Sequence, residues 1–318
     1  MSQPVQIFHD RSPRPFLPGP TEDRILVALL TYDVLSATQV CRLLYSPASL
    51  SWVQARLKRL RDLGYVEAIF LPRPSRLGSA PLLYVLGSKA LARLRSQGFD
   101  VPTRHRPSEQ QRSYYFLRHA MAVNDVLISL EMLGRRTDVE ICERRNERAM
   151  KRNPSYVADS PNRRVAVIPD AWVSLVLGGA YEMSVAFEVD RGTEEQKKWR
   201  RKVRALVAWS KGPYQDTFGT PSLTIAVVAT AGERRLRDLV RWTEVELTSL
   251  DQPQEADLFR FVSAAPDAMT PENLFLSPRW CRPFVGARMP LFAVQPPLPT
   301  RALGNVAESP WSTPRHNQ

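Results

Sequence analysis

A run of apolar, β-branched residues from Leu223 to Val228 constrains the fold of this chain most. A strand with one face in water alternates apolar and polar residues, whereas a run of this kind is typical of a strand in a sheet that helices cover on both faces. The chain has 318 residues, and one domain usually has about 100 to 200. We therefore expect a layered α/β domain and at least one further domain.

The second half of the chain, residues 112–265, predicts that α/β domain. Periods of 3.6 and 2 residues alternate along it, which indicates helices and strands in turn and favours a mixed sheet. The main predicted elements are a helix at 115–133, a strand at 181–189, a helix at 194–209, the strand at 223–228, a helix at 232–247 and a strand at 258–263.

Residues 21–98 predict a smaller domain. Two short helices begin at Thr21 and Ser36, and a third, basic helix covers residues 49–63. A strand, a Gly/Pro/Arg loop at 72–81 and a returning strand at 82–86 follow. This order resembles the winged helix-turn-helix of the winged-helix DNA-binding superfamily, in which the loop is the wing.

Charge supports double-stranded DNA as the partner. The formal net charge is +12, and residues 1–111 hold 15 Lys/Arg against 8 Asp/Glu. A helix fits the major groove, and basic side chains neutralise phosphates. Winged helices also serve as protein–protein adaptors, and exposed arginines are often only solvated, so both alternatives stay open. The candidate DNA contacts are Trp52, Gln54, Arg56, Lys58, Arg59, Arg73 and Arg76.

Proline marks the segments between and outside the domains. Residues 1–20 hold five prolines and predict a flexible arm, and residues 99–111 predict a linker. Residues 266–318 hold ten prolines and predict a partly ordered C-terminal extension that ends in a disordered tail.

Several classes of protein are disfavoured. Cys41, Cys142 and Cys281 lie far apart without a C-x-x-C pair, so we expect neither a zinc ribbon nor a redox dithiol. No stretch has the 18 to 20 or so apolar residues of a membrane helix. We therefore expect a soluble, cytoplasmic protein without a membrane partner.

Acidic residues mark a candidate metal site. Seventeen residues separate Pro169-Asp170 from Glu188-Val189-Asp190. Carboxylates at the ends of neighbouring strands converge on one face of a sheet, where they suit Mg or Mn. The pattern resembles the restriction-endonuclease-like nucleases, which have Pro-Asp, a spacer, and Asp/Glu-x-Lys. The resemblance implies metal ligation by Asp170, Glu188 and Asp190.

One position departs from that nuclease pattern, because Asp190 stands where the superfamily has its catalytic lysine. Lys198 and Lys202 on the next predicted helix are the candidate replacements. The alternative interpretation makes both lysines part of a solvated helix face or contacts to phosphates.

A longer series of motifs along the chain is similar to the replication-relaxation family of plasmid and mobile-element proteins. It comprises the winged helix, His119, Asn124, Pro169-Asp170, residues 187–194 and Lys202. The resemblance implies plasmid replication, relaxation or mobilisation, and leaves open a homodimer and replication or mobilisation proteins as partners. His119, Asn124, Arg191, Thr193 and Glu194 are expected to support the site, with structural roles as the alternative and Thr193 as the cap of the next helix.

The sequence leaves two main hypotheses for function. One is a Mg- or Mn-dependent DNA nickase that acts through Asp170, Glu188 and Lys202 or Lys198. The other is a non-catalytic DNA-binding replication accessory or transcriptional regulator with a degenerate nuclease fold. A tyrosine relaxase acting through Tyr114 or Tyr115 is disfavoured, because that chemistry usually needs three histidines at one metal. The chain has four histidines, His9, His105, His119 and His316, and two of them lie in the predicted flexible tails.

Overall fold

The computed structural model describes residues 17–71, 81–101, 113–160 and 163–293, with the side chains of residues 159 and 160 left out. Arg73 and Arg76 of the predicted wing lie outside the described residues, as do most of the predicted arm and linker and residues 294–318.

Nine α-helices and twelve strands alternate along the described part of the chain. The helices are α1 Pro20–Tyr32, α2 Ala37–Leu44, α3 Leu50–Asp62, α4 Ser88–Ser96, α5 Tyr114–Gly134, α6 Glu147–Arg152, α7 Gln196–Ser210, α8 Pro213–Phe218 and α9 Glu233–Ser249. The strands are β1 Leu35–Ser36, β2 Val66–Phe70, β3 Leu82–Leu86, β4 Val139–Asn146, β5 Ser155–Ser160, β6 Arg163–Val167, β7 Ala171–Leu177, β8 Tyr181–Asp190, β9 Thr224–Ala229, β10 Phe259–Ser263, β11 Trp280–Arg282 and β12 Val285–Met289.

Seven strands form a mixed sheet in the order β12-β11-β10-β9-β8-β7-β4. The two central pairs, β8 with β9 and β9 with β10, are parallel, and the remaining neighbours are antiparallel. Central β9 contains most of the run from Leu223 to Val228, and five of its six residues are buried. The predicted mixed sheet is therefore confirmed.

Helices cover both faces of this sheet, and the alternation of β9 shows it directly. Ala226 and Val228 point into a core cluster shared with α5, while Ile225 and Val227 point into a second cluster shared with α7 and α9. Apolar residues on both faces of a strand are stable only where both faces are withdrawn from water.

The N-terminal elements build a small three-stranded antiparallel sheet in the order β1-β3-β2, packed with α1 to α4. Ser36 begins α2 with a capping box, in which its hydroxyl accepts from Gln39 N and the Gln39 side chain accepts from Ser36 N. In α3, Val53, Leu57 and Leu60 recur at helical spacing and are buried, which leaves the rest of that helix to face outward.

Polar contacts fix the N-terminal elements to α5. Arg42 forms an ion pair with Asp125 at 2.8 Å, and its guanidinium also donates to Ser129 and to Met269 O. Asn124 is 5% exposed, and its amide donates to Tyr32 O at 3.1 Å and to Val34 O at 2.6 Å. Asn124 therefore holds the turn between α1 and β1 against α5.

Replacing Asn124 with alanine is expected to lower the free energy of unfolding by about 1–3 kcal/mol, because the buried carbonyls of Tyr32 and Val34 lose their donor. Urea unfolding measures the change. Asn153→Ala, at an exposed residue, is the matched control and should shift stability by less than about 0.5 kcal/mol. Equal effects of the two substitutions would contradict this role of Asn124.

The described part of the predicted C-terminal extension adds to the main sheet. Trp280 in β11 is fully buried, and Cys281 of β11 pairs with Phe261 of β10. Among the described residues, no helix is long and apolar enough to cross a membrane.

Candidate functional site

Asp170 and Glu188 meet where β7 begins beside the end of β8. The Asp170 backbone N–H donates to Phe187 O at 3.1 Å, and its Oδ2 accepts from Val189 N at 2.7 Å. Asp170 is thereby held against the same short piece of β8 that carries Glu188. The sheet register, rather than a flexible loop, places the two carboxylates next to each other.

Lys202 reaches Glu188 from α7. Its Nζ lies 2.5 Å from Glu188 Oε2. The Glu188 side chain is 2% exposed and that of Lys202 is 30% exposed. The second carboxylate oxygen, Glu188 Oε1, is buried and has no hydrogen-bond partner. A buried acceptor without a donor is costly, so this oxygen is the most conspicuous unsatisfied group of the site.

His119 completes the cluster from the other face of the sheet. It projects from α5, and its Nε2–H donates to Asp170 Oδ1 at 3.0 Å. The His119 side chain is 31% exposed and that of Asp170 is 12% exposed. The cluster therefore contains two carboxylates and two basic groups, and water reaches it past His119 and Lys202.

The surroundings shift the pKa of each member of the cluster. Burial raises the pKa of Glu188 to about 8, and the Asp170 carboxylate adds to the rise while Lys202 opposes it. Burial alone would raise the pKa of Asp170, but His119 and Lys202 lower it overall. Burial lowers the pKa of His119 and of Lys202, yet the neighbouring carboxylates outweigh it and raise both. Glu188 is thus the acid that most readily carries a proton.

Asp190 is held in a separate ion pair. Arg235 from α9 donates to both of its oxygens, from Nε to Oδ1 at 2.7 Å and from Nη2 to Oδ2 at 2.9 Å. Gly192 N also donates to Asp190 Oδ1 at 2.8 Å. Asp190 therefore follows the predicted ligands Asp170 and Glu188 in the sequence, but in the structure both of its oxygens accept hydrogen bonds from Arg235.

The remaining residues predicted from the segment after β8 lie around the cluster. Lys198 is 72% exposed and pairs with Glu194 at 3.1 Å, so of the two candidate lysines only Lys202 contacts an acid of the cluster. Arg191 donates to Tyr115 O at 3.1 Å. The prediction that Thr193 caps α7 is wrong, because the N-cap is Glu195.

The physical reason for the shifted helix start is a turn stabilised from α9. Gly192 has φ of 82°, a left-handed conformation that favours glycine. Two residues beyond it, Glu194 O accepts a hydrogen bond from Arg235 at 2.6 Å. These contacts keep the chain out of the helix until Gln196.

A cleft of about 360 Å³ opens beside the cluster. His119 and Asp170 lie in its wall, together with Asn124 of α5, Asp33 after α1, and Arg148 and Lys151 of α6. The cleft therefore lies between the N-terminal elements and the main sheet, and the carboxylate of Asp170 is accessible from it.

The predicted DNA contacts of α3 differ in exposure and in whether they pair with an acid. Trp52 is 39% exposed, and Gln54 and Arg59 are also exposed. Arg56 lies over the Trp52 ring and pairs with Glu22 at 2.7 Å, and Lys58 pairs with Asp62 at 2.8 Å. The outward face of α3 thus remains basic, although Arg56, Lys58 and Arg61 have acidic partners.

Arg235 was absent from the sequence-based predictions, although it determines what Asp190 can do. It is 45 residues from Asp190, and in the sequence it stands among Arg234, Arg237 and Arg241 on the same helix. Its position beside the buried Leu236 and Leu239 is the only local signal that it faces inward.

One of three comparisons with known proteins finds a match. The sequence model of a family described as replication-relaxation matches residues 26–224. That range includes α3, His119, Asp170, Glu188 and Lys202 and ends at the first residue of β9. Searches of curated proteins and of solved structures find no match.

Proposed function

Because this chain belongs to the replication-relaxation family, its role is related to replication, and we propose that it nicks one strand of plasmid or mobile-element DNA with Mg or Mn. The observation that supports catalysis most strongly is the contact of Lys202 with Glu188 beside Asp170. The cluster thus contains a pair of carboxylates and a lysine, which are the groups of a restriction-endonuclease-like site. The lysine comes from α7 instead of position 190.

The donors of this site fit one Mg or Mn ion. Mg is usually held by one or two carboxylates, with water and substrate phosphate as the other ligands. Asp170 and Glu188 provide two carboxylates, and Glu188 Oε1 has no other partner. Among the described residues, no group of three or more His, Cys, Asp and Glu side chains is placed to hold a metal ion, so an ion here would take its remaining ligands from water and phosphate. Asp190 fits less well, because its oxygens accept three hydrogen bonds, two of them from the Arg235 guanidinium, whereas those of Asp170 have one partner each.

The chain's own residues would act on a phosphodiester as follows. When bound, the ion supplies positive charge that polarises the phosphate. Lys202 places a second positive charge beside Glu188, where negative charge grows on the phosphate as water attacks and the bond to the 3′-oxygen breaks. His119 donates to Asp170 and keeps that carboxylate ionised and oriented. One hydrolysed bond in one strand relaxes a supercoiled circle.

DNA binding is assigned to the N-terminal elements. We propose that residues 21–98 form a winged helix, that residues 112–265 form a nuclease-like domain and that residues 99–111 link them. Element order α1-β1-α2-α3-β2-β3 and the sheet order β1-β3-β2 support the winged helix. The exposed side chains of α3 would then enter the major groove. The predicted DNA contacts among them are Trp52, Gln54, Lys58 and Arg59.

A second candidate function is DNA binding without catalysis. The pairing within the cluster favours it, since Glu188 pairs with Lys202 and Asp170 with His119. With Glu188 ionised, the two carboxylates and the two cations of the cluster balance without a metal ion. In this case the same acids would only stabilise the fold.

Incubation with supercoiled plasmid tests the nickase. With Mg or Mn, the wild-type protein is expected to produce open circles on an agarose gel, and EDTA should prevent it. Asp170→Asn/Glu188→Gln keeps the side-chain volumes, and we expect it to bind the plasmid but leave it supercoiled. Wild-type binding without open circles would support the non-catalytic function, and the absence of duplex binding would contradict both functions.

A further inference from the structure

The segment from Arg144 to Arg164 is a basic part of the described chain that the proposed function does not use, although Arg145, Arg148 and Lys151 in it pair with acids. It holds seven Lys/Arg and two Asp/Glu. The segment covers the end of β4, helix α6 and the strands β5 and β6. These two strands pair with each other in a two-stranded antiparallel sheet outside the main sheet. We refer to β5 and β6 as the hairpin.

One face of the hairpin is anchored to the core. Val157 and Val167 are each 4% exposed and join the core cluster that contains Trp172 and Trp199. Ser155 Oγ also lies 2.9 Å from Thr217 Oγ1 of α8. The base of the hairpin is therefore fixed to α7 and α8, and its other face points away from the core.

The outward face combines small and large side chains in a regular pattern. Tyr156 lies opposite Ala166, and Ala158 lies opposite Arg164. All four residues are exposed, and the guanidinium of Arg164 lies over the Tyr156 ring at 5.4 Å. Because the alanine side chains are small, a second molecule can approach the strands closely. The longer side chains of Tyr156 and Arg164 would then contact that molecule.

The hairpin also lies beside the acidic cluster. Strand β6 ends at Val167, and only Ile168 and Pro169 separate it from Asp170. Helix α6 precedes the hairpin and contributes Arg148 and Lys151 to the cleft. Arg152, at the end of α6, is exposed. The base of the hairpin is therefore two residues from Asp170 along the chain, and α6 shares the cleft with it.

We propose that the hairpin and α6 form a second DNA-binding surface, which holds duplex DNA next to Asp170. A two-stranded antiparallel ribbon fits the major groove of duplex DNA, and the excess of basic residues complements the phosphates. This proposal rests on the proposed function, because it requires that the protein binds duplex DNA. It adds a contact on the nuclease-like side, independent of α3.

Salt dependence tests the hairpin surface. Binding to a fluorescent 30-base-pair duplex is measured by anisotropy at several salt concentrations. Arg152→Ala/Arg164→Ala is expected to make the slope of log K against log salt shallower by about 2, since each lost phosphate contact contributes about 0.9. Tyr156→Ala should weaken binding without changing the slope. Because these side chains are exposed, thermal unfolding should be unchanged.

The matched control is Arg136→Ala/Arg288→Ala. It removes the same charge from two exposed arginines, one after α5 and one on the far edge strand β12, and we expect an unchanged slope. If the hairpin variants match the wild type while Arg59→Ala binds more weakly, the hairpin proposal is wrong and DNA binding through α3 stands. If the wild-type protein does not bind the duplex, the proposed function itself fails.

Discussion

Replacing Lys202 with methionine is expected to lower the rate of plasmid nicking by about 100- to 1,000-fold, the usual effect of removing one electrostatic contact from a transition state. Methionine keeps most of the volume of the side chain but not the charge that lies 2.5 Å from Glu188. The fold should tolerate the change, because burial already raises the pKa of Glu188 to about 8 and the acid can carry a proton instead. Duplex binding should be unchanged. Plasmid nicking and anisotropy measure the two effects.

Lys198→Met is the matched control for this experiment. Lys198 lies one turn earlier on α7, is 72% exposed and pairs with Glu194, so its loss should change nicking by less than about twofold. Lys202→Arg keeps the charge and should retain part of the activity. Equal losses for the two methionine variants would show that the effect is not specific to position 202. Full activity of Lys202→Met would show that no charge is needed beside Glu188.

The sequence predicts the elements whose signal is local. The run from Leu223 to Val228 requires a strand with two covered faces, and β9 occupies that position at Thr224–Ala229. The predicted basic helix at 49–63 corresponds to α3, Leu50–Asp62, because Val53, Leu57 and Leu60 repeat at helical spacing. Such elements are encoded in consecutive residues, so one sequence suffices to find them.

Elements stabilised by distant partners were harder to predict. The hairpin is short. Its inward face, including Val157 and Val167, is buried by residues of α7, which are distant in the sequence. Strand β11 lies in a proline-rich segment, and its pairing with β10 joins Cys281 to Phe261. Proline content indicates where regular structure is interrupted, but not which strands pair between the interruptions.

The residues of the site also divide into those with a local signal in the sequence and those whose partner is distant. The sequence could favour Lys202 over Lys198, because at 100° per residue Lys202 lies about 40° from Leu206 and Lys198 about 100° from Trp199 on α7. Leu206 and Trp199 are both buried, so Lys202 borders the inward face. The partner of Asp190 could not be found in this way, since Arg235 comes from another helix after an intervening strand.

Replacing Arg235 with alanine is expected to lower the free energy of unfolding by about 3–5 kcal/mol, the cost of removing one partner of a buried ion pair. The side chains of Arg235 and Asp190 are 12% and 5% exposed, and Arg235 also packs over the Trp242 ring at 4.8 Å. Urea unfolding measures the loss. Arg237→Ala, at an exposed residue of the same helix, should change stability by less than about 0.5 kcal/mol.

The two partners should also be coupled. Asp190→Asn removes the charge that Arg235 neutralises, so the double variant Asp190→Asn/Arg235→Ala should be less destabilised than the sum of the two single variants. Additive effects would mean that Arg235 stabilises α9 through Trp242 alone and that Asp190 does not depend on it.

Stabilisation by Mn distinguishes Asp190, which pairs with Arg235, from the proposed metal ligands. Mn at 100 times its dissociation constant should stabilise the folded protein by about 2.7 kcal/mol, and Asp170→Asn should remove this effect. Asp190→Asn should retain it, because the oxygens of Asp190 accept from Arg235 and Gly192. Loss of the Mn effect in Asp190→Asn, with Arg237→Ala unchanged, would instead make Asp190 a ligand and require Arg235 to release it when the metal binds.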